Sequence, residues 1–65
     1  MINIKLGAYF TSEEGNLFQI IEVYYYGVIF QIIGMDYEYC FFVTYTELAN
    51  DIINKKYSYI NPLRN

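Results

Sequence analysis

At 65 residues the chain has room for one domain, 1–65, close to the lower size at which a chain folds without a metal, disulfides or oligomerisation. Seven acids against four bases give a net charge of −3, with one cysteine and no histidine. That balance excludes a basic footprint for a polyanion, a zinc site of the usual ligand types and an intrachain disulfide.

Hydrophobic residues make up 55% of the sequence, more than one small core covers, so the surplus belongs to the surface or to an interface. Nine of the aromatics are Tyr and five are Phe. Tyrosine tolerates one wet end and one buried body, which favours half-exposed contact positions.

In chain order, residues 1–10 alternate, with Ile2, Ile4, Leu6, Ala8 and Phe10 on one face, and predict a half-buried strand with Gly7 as a bulge or sharp bend. Residues 11–16, Thr-Ser-Glu-Glu-Gly-Asn, predict an exposed hairpin loop. A second strand over 17–26 needs a bulge near Ile21, because Phe18 and Ile20 share one parity while Ile21 and Val23 share the other. Tyr24, Tyr25 and Tyr26 cannot all point inward, since strand neighbours alternate faces, and Gly27 is expected to supply a tight turn.

Two apolar runs, 28–33 and 37–45, joined by Gly34-Met35-Asp36, predict a hairpin that feeds a helix. Cys40 lies inside the second run and is expected to be a small buried hydrophobe. Thr44 with Glu47 matches a capping box, and Thr46 is the alternative N-cap. Leu48, Ala49, Ile52 and Ile53 would share one helical face, with Lys55 and Lys56 complementing the negative helix end. Residues 57–60 predict a short last strand, ended by Asn61-Pro62 ahead of a loose tail, 61–65.

No crossover separates the first four strands, so the sheet must be an antiparallel meander. The expected class is mainly β: a small meander curled into an open SH3-like barrel or a strongly twisted sheet, with one short helix near the C-terminus. The resemblance is to an architecture and to no family. Residues 17–35 carry one formal charge, Glu22, yet Gln19, Gln31 and Gly27 divide them into strand-length pieces, so no membrane span is expected. No basic segment precedes an apolar one as in a signal peptide, and the cytoplasm is the expected compartment.

The chemistry is sparse. Without histidine the commonest general base is missing, and Cys40 has Tyr39, Phe41 and Phe42 rather than a cation beside it in sequence. Asp36 and Glu38 share a strand parity as a carboxylate pair would, but Asp36 reads as a turn residue, and Glu13-Glu14 lacks calcium-loop spacing. No catalytic residue, cofactor or metal is expected, and the chain reads as a non-enzyme.

The leading expectation is a protein-binding module whose partner contacts are Tyr24, Tyr25 and Tyr26, rimmed by the acidic loop residues Glu13 and Glu14. Richness in Ile, Asn, Tyr and Phe is what an A/T-rich genome encodes. In a low-GC bacterium or its phage, such a protein would suit occlusion of a host or defence enzyme as a small inhibitor. The alternatives are a single-stranded nucleic-acid-binding small barrel, disfavoured by charge, and a structural homo-oligomer subunit, with self-association compatible with the first reading.

Overall fold

Period-two alternation on either side of a break at Ile21 builds the hairpin of residues 17–33 that sets the register of the sheet. The computed structural model describes residues 4–34 and 39–60. Among them run β1 (Tyr9–Ser12), β2 (Leu17–Val23), β3 (Gly27–Ile33), β4 (Tyr39–Thr44), helix α1 (Tyr45–Ile53) and β5 (Tyr57–Ile60). The protein is mainly β: every strand pair is antiparallel, and the five strands form one sheet in the order β4-β3-β2-β1-β5. The sheet is not closed. β4 and β5 lie at its two edges, and α1 links them while packing against both.

One face of the sheet carries the core. Phe10, Phe18, Ile20, Val28, Phe30 and Val43 project from it and bury Leu48 of α1 together with Ala8. Phe30 is the hub, its ring centroid 5.4–5.8 Å from those of Phe10, Phe18, Phe41 and Tyr57. Full burial of side chains of this size contributes about 1.5–3 kcal/mol each, so this cluster carries most of the hydrophobic stabilisation. The register shifts between Ile20 and Glu22 against β3, which makes Ile21 the extra residue of the expected bulge.

Of the expected strand over residues 1–10, residues 1–3 lie outside the described residues, and among the rest the strand is shorter than the alternation predicts. Gly7 takes φ +87°, and the Ala8 amide donates to the Lys5 carbonyl at 3.1 Å, so residues 5–8 form a tight turn and the strand starts at Tyr9. Leu6 is turned out to solvent as a result, 65% exposed. The expected sharp bend at Gly7 is therefore present, and it ends the strand instead of curving it.

The helix uses the Thr44 cap. Thr44 Oγ1 accepts from the Glu47 amide at 3.1 Å, and Glu47 Oε1 accepts from the Thr44 amide at 3.0 Å. Its apolar stripe is narrower than expected: Leu48 is buried and Ile52 half-buried, whereas Ala49 and Ile53 face solvent. At the other end the lysines act through their backbone. Lys55 adopts φ +66°, its amide donates to the Ile52 carbonyl at 3.0 Å, and the Lys56 amide donates to the Asp51 carbonyl at 2.8 Å, the Schellman pattern.

Cys40 is exposed, against expectation. It stands opposite Gln31 on the face of β4 that turns away from the core, while Val43 and Phe41 take the inner parity. The joining residues Met35 and Asp36, the carboxylate of Glu38 and the tail 61–65 lie outside the described residues. No described helix is long and apolar enough to cross a membrane.

Candidate functional site

The expected second strand stops at Val23, and Tyr24, Tyr25 and Tyr26 form the connection between β2 and β3. The Tyr24 amide donates to the Gly27 carbonyl at 2.8 Å and closes the turn. The start of α1 then pins it: the Tyr45 amide donates to the Tyr26 carbonyl at 3.2 Å, and the Tyr45 hydroxyl donates to the Tyr24 carbonyl at 2.5 Å. With its carbonyls held from the helix, this connection presents its side chains in a fixed arrangement.

All three tyrosines are exposed, Tyr25 at 98%, so the alternation argument understated the case. Tyr24 and Tyr26 stack at 6.2 Å, and both meet Phe42, whose centroid is 6.3 Å from Tyr24 and 5.3 Å from Tyr26. Phe42 reaches them because β4 pairs it with Ile29 on the face opposite the core. The result is a solvent-facing cluster of three rings with Tyr25 standing beyond it.

Glu22 supplies the charge. Its Oε1 accepts a hydrogen bond from the Tyr24 hydroxyl, which raises the Tyr24 phenol above its ordinary pKa, with desolvation and the negative charge of Glu22 adding in the same direction. Sequence reasoning missed Glu22, Phe42 and Tyr45 as parts of this surface. The parity of 39–44 carried a signal for Phe42, since a residue next to inward Val43 must point outward.

Glu13 and Glu14 are not its rim. They occupy the loop between β1 and β2, at the opposite end of β2 from the tyrosines, roughly 20 Å away at about 3.3 Å per residue. Nor is that loop held clear of the body. The Ser12 amide donates to the Asn16 carbonyl at 2.9 Å, Gly15 takes φ +93°, and the Glu13 amide donates to the Lys56 carbonyl at 3.2 Å. Docking there brings Glu14 within electrostatic reach of Tyr57, whose phenol is raised first by burial, then by Asp51 and Glu14.

An open groove of about 410 Å³ lies between β4 and α1, lined by residues 41–43, Lys56 and Tyr57, with Glu47 and Asp51 on its helical wall. Phe42 is among its lining residues, while its ring meets Tyr24 and Tyr26 on the outer face of β4. No three of His, Cys, Asp or Glu among the described residues come together as a metal-binding group. Comparison with protein-family models, curated proteins and solved structures gives no match for this chain.

Proposed function

We propose that the chain is a non-enzymatic protein-binding module that docks its partner on the Tyr24-Tyr25-Tyr26 turn and Phe42. One observation carries this reading: Tyr25 is 98% exposed on a turn tied by three hydrogen bonds, two of them from Tyr45. A large exposed ring on a backbone that is already ordered loses little entropy on binding, which is the economy of aromatic anchors. The strand order, with β5 returning beside β1 and α1 spanning the gap to β4, supports reading the sheet as an open SH3-like barrel. Action by occlusion of an enzyme fits a binding face without chemistry of its own.

The test is to capture a partner from the source lysate with the full chain and then to measure its affinity for wild type and Tyr25→Ala. An anchor should lose about 2 kcal/mol or more of binding on truncation, with the melting temperature unchanged. Equal affinity in the folded variant overturns the assignment.

Self-association is a second reading favoured by the edge position of β4, on a surface that shares Phe42 with the first. β4 is an edge strand whose exposed side chains include Tyr39, Cys40 and Phe42, with no lysine or proline to discourage pairing.

A further inference from the structure

We infer that the group recognised by the aromatic cluster is an arginine side chain of a basic partner protein, its guanidinium lying on the Tyr24, Tyr26 and Phe42 rings beside Glu22. This rests on the protein-binding reading and names the chemistry of the partner. Three electron-rich rings within 6.3 Å of one another face solvent, and a cation within about 6 Å of a ring centroid is attracted to its negative face. Glu22 stands against the same rings through the Tyr24 hydroxyl, so the cation meets a carboxylate as well as a π surface.

A second acidic surface lies between β4 and α1, where Glu47 and Asp51 line the groove and Lys56 is the one cation among its described lining residues. Basic residues elsewhere on the same partner would meet those carboxylates.

Other occupants fit less well. An apolar insert would cover the rings but strip water from Glu22 without giving it a partner, which is costly for a carboxylate. A polyanion would meet Glu22, Glu47, Asp51 and a net charge of −3. Lysine carries the charge, but its strongly hydrated ammonium neither stacks on a ring nor forks onto a carboxylate as planar guanidinium does.

The experiment is an NMR titration of the isotope-labelled full chain with a capped Gly-Arg-Arg-Gly peptide, run beside its citrulline and lysine counterparts and a single-stranded oligonucleotide. Saturable shifts centred on the amides of residues 22–27 and 42–45, weakened by salt, are expected with the arginine peptide. Citrulline, which keeps the shape and loses the charge, should bind at least about tenfold more weakly, and lysine should fall between the two. Glu22→Gln, which leaves every ring in place, should weaken the arginine peptide about fivefold, and Tyr26→Leu should do the same if its melting temperature matches wild type. Citrulline binding as tightly as arginine, Glu22→Gln without effect, absence of saturable shifts at millimolar peptide, or tighter binding of the oligonucleotide to the same amides would each overturn the inference. The first three leave the protein-binding reading standing, which falls if folded Tyr25→Ala keeps full partner affinity or if the oligonucleotide takes the site.

Discussion

The ring of Phe42 lies directly over Gly27: a Cβ built on Gly27 would fall 2.5 Å from Phe42 Cζ and 2.4 Å from the Val43 carbonyl oxygen. The ring can rotate away, but the carbonyl belongs to the β4 backbone that pairs with β3, so the clash cannot be relieved by a side chain alone. Gly27→Ala should therefore cost about 2–3 kcal/mol, the upper part of the range for overpacking. Urea denaturation measures it, and a loss under 0.5 kcal/mol would show that β4 yields easily, on the scale of ordinary surface substitutions of about that size.

Thr44 caps α1 and holds the site at once, because the next residue, Tyr45, ties down the tyrosine turn. Thr44→Ala removes the acceptor for the Glu47 amide and should destabilise the fold by about 1 kcal/mol. Peptide binding at the cluster should weaken with it. A stability loss with the amide signals of 24–27 unmoved would separate the cap from the site.

Lys55 sits at φ +66°, where a side chain is strained and glycine is not, and its amide completes the helix end. Lys55→Gly keeps both amide hydrogen bonds and should stabilise the protein by about 0.5–1 kcal/mol, the strain relieved being partly offset by glycine's greater freedom when unfolded. The check is the denaturation midpoint at constant m-value. A lower midpoint would mean that the lysine side chain contributes more than its backbone costs.

Pairing of β4 edges would set the oligomeric state. With exposed Tyr39 and Phe42 on an edge strand, wild type should exceed the monomer mass in light scattering at high micromolar concentration, and Phe42→Lys should return it toward monomer. A monomer that persists in wild type at that concentration excludes edge pairing as the use of this surface.

Where two signals agreed, the sequence was legible. Alternation of Val28, Phe30 and Ile32 and the parity break at Ile21 each have one physical solution, and each is found, while of the two caps the sequence offers the structure takes the Thr44/Glu47 box over Thr46. Cys40 was misread because an apolar neighbourhood was taken as burial when its parity already pointed it outward. Among the described residues 4–10 the alternation overran, because composition cannot show that Gly7 will take a positive φ and fold the chain back. The site was half visible. Strand alternation exposes some of Tyr24, Tyr25 and Tyr26, but pairing them with Phe42 and Glu22, and parting them from Glu13 and Glu14, depends on register across β2, β3 and β4, which is a long-range property.

The bond between Tyr24 and Glu22 gives the last prediction a sign. In the folded protein the Tyr24 phenol is raised, first by its hydrogen bond to Glu22, then by desolvation, then by the charges of Glu22 and Tyr26. A phenol loses its proton to become charged, so a raised value means that the folded state holds this proton more tightly than the unfolded chain does. Its contribution to stability is complete below the unfolded value, about pH 10, and is lost as pH rises through the higher folded value. Glu22→Gln should move this titration down, and Tyr24→Phe should delete it from the late part of the phenolate absorbance curve while leaving the raised Tyr57 in place. Below about pH 9 the denaturation midpoints of wild type and Tyr24→Phe should run parallel, and above about pH 10 that of wild type should fall more steeply. Parallel pH profiles for the two proteins would show that the hydroxyl of Tyr24 is not held by Glu22 in solution, and the carboxylate would then be open to a partner's cation without competition.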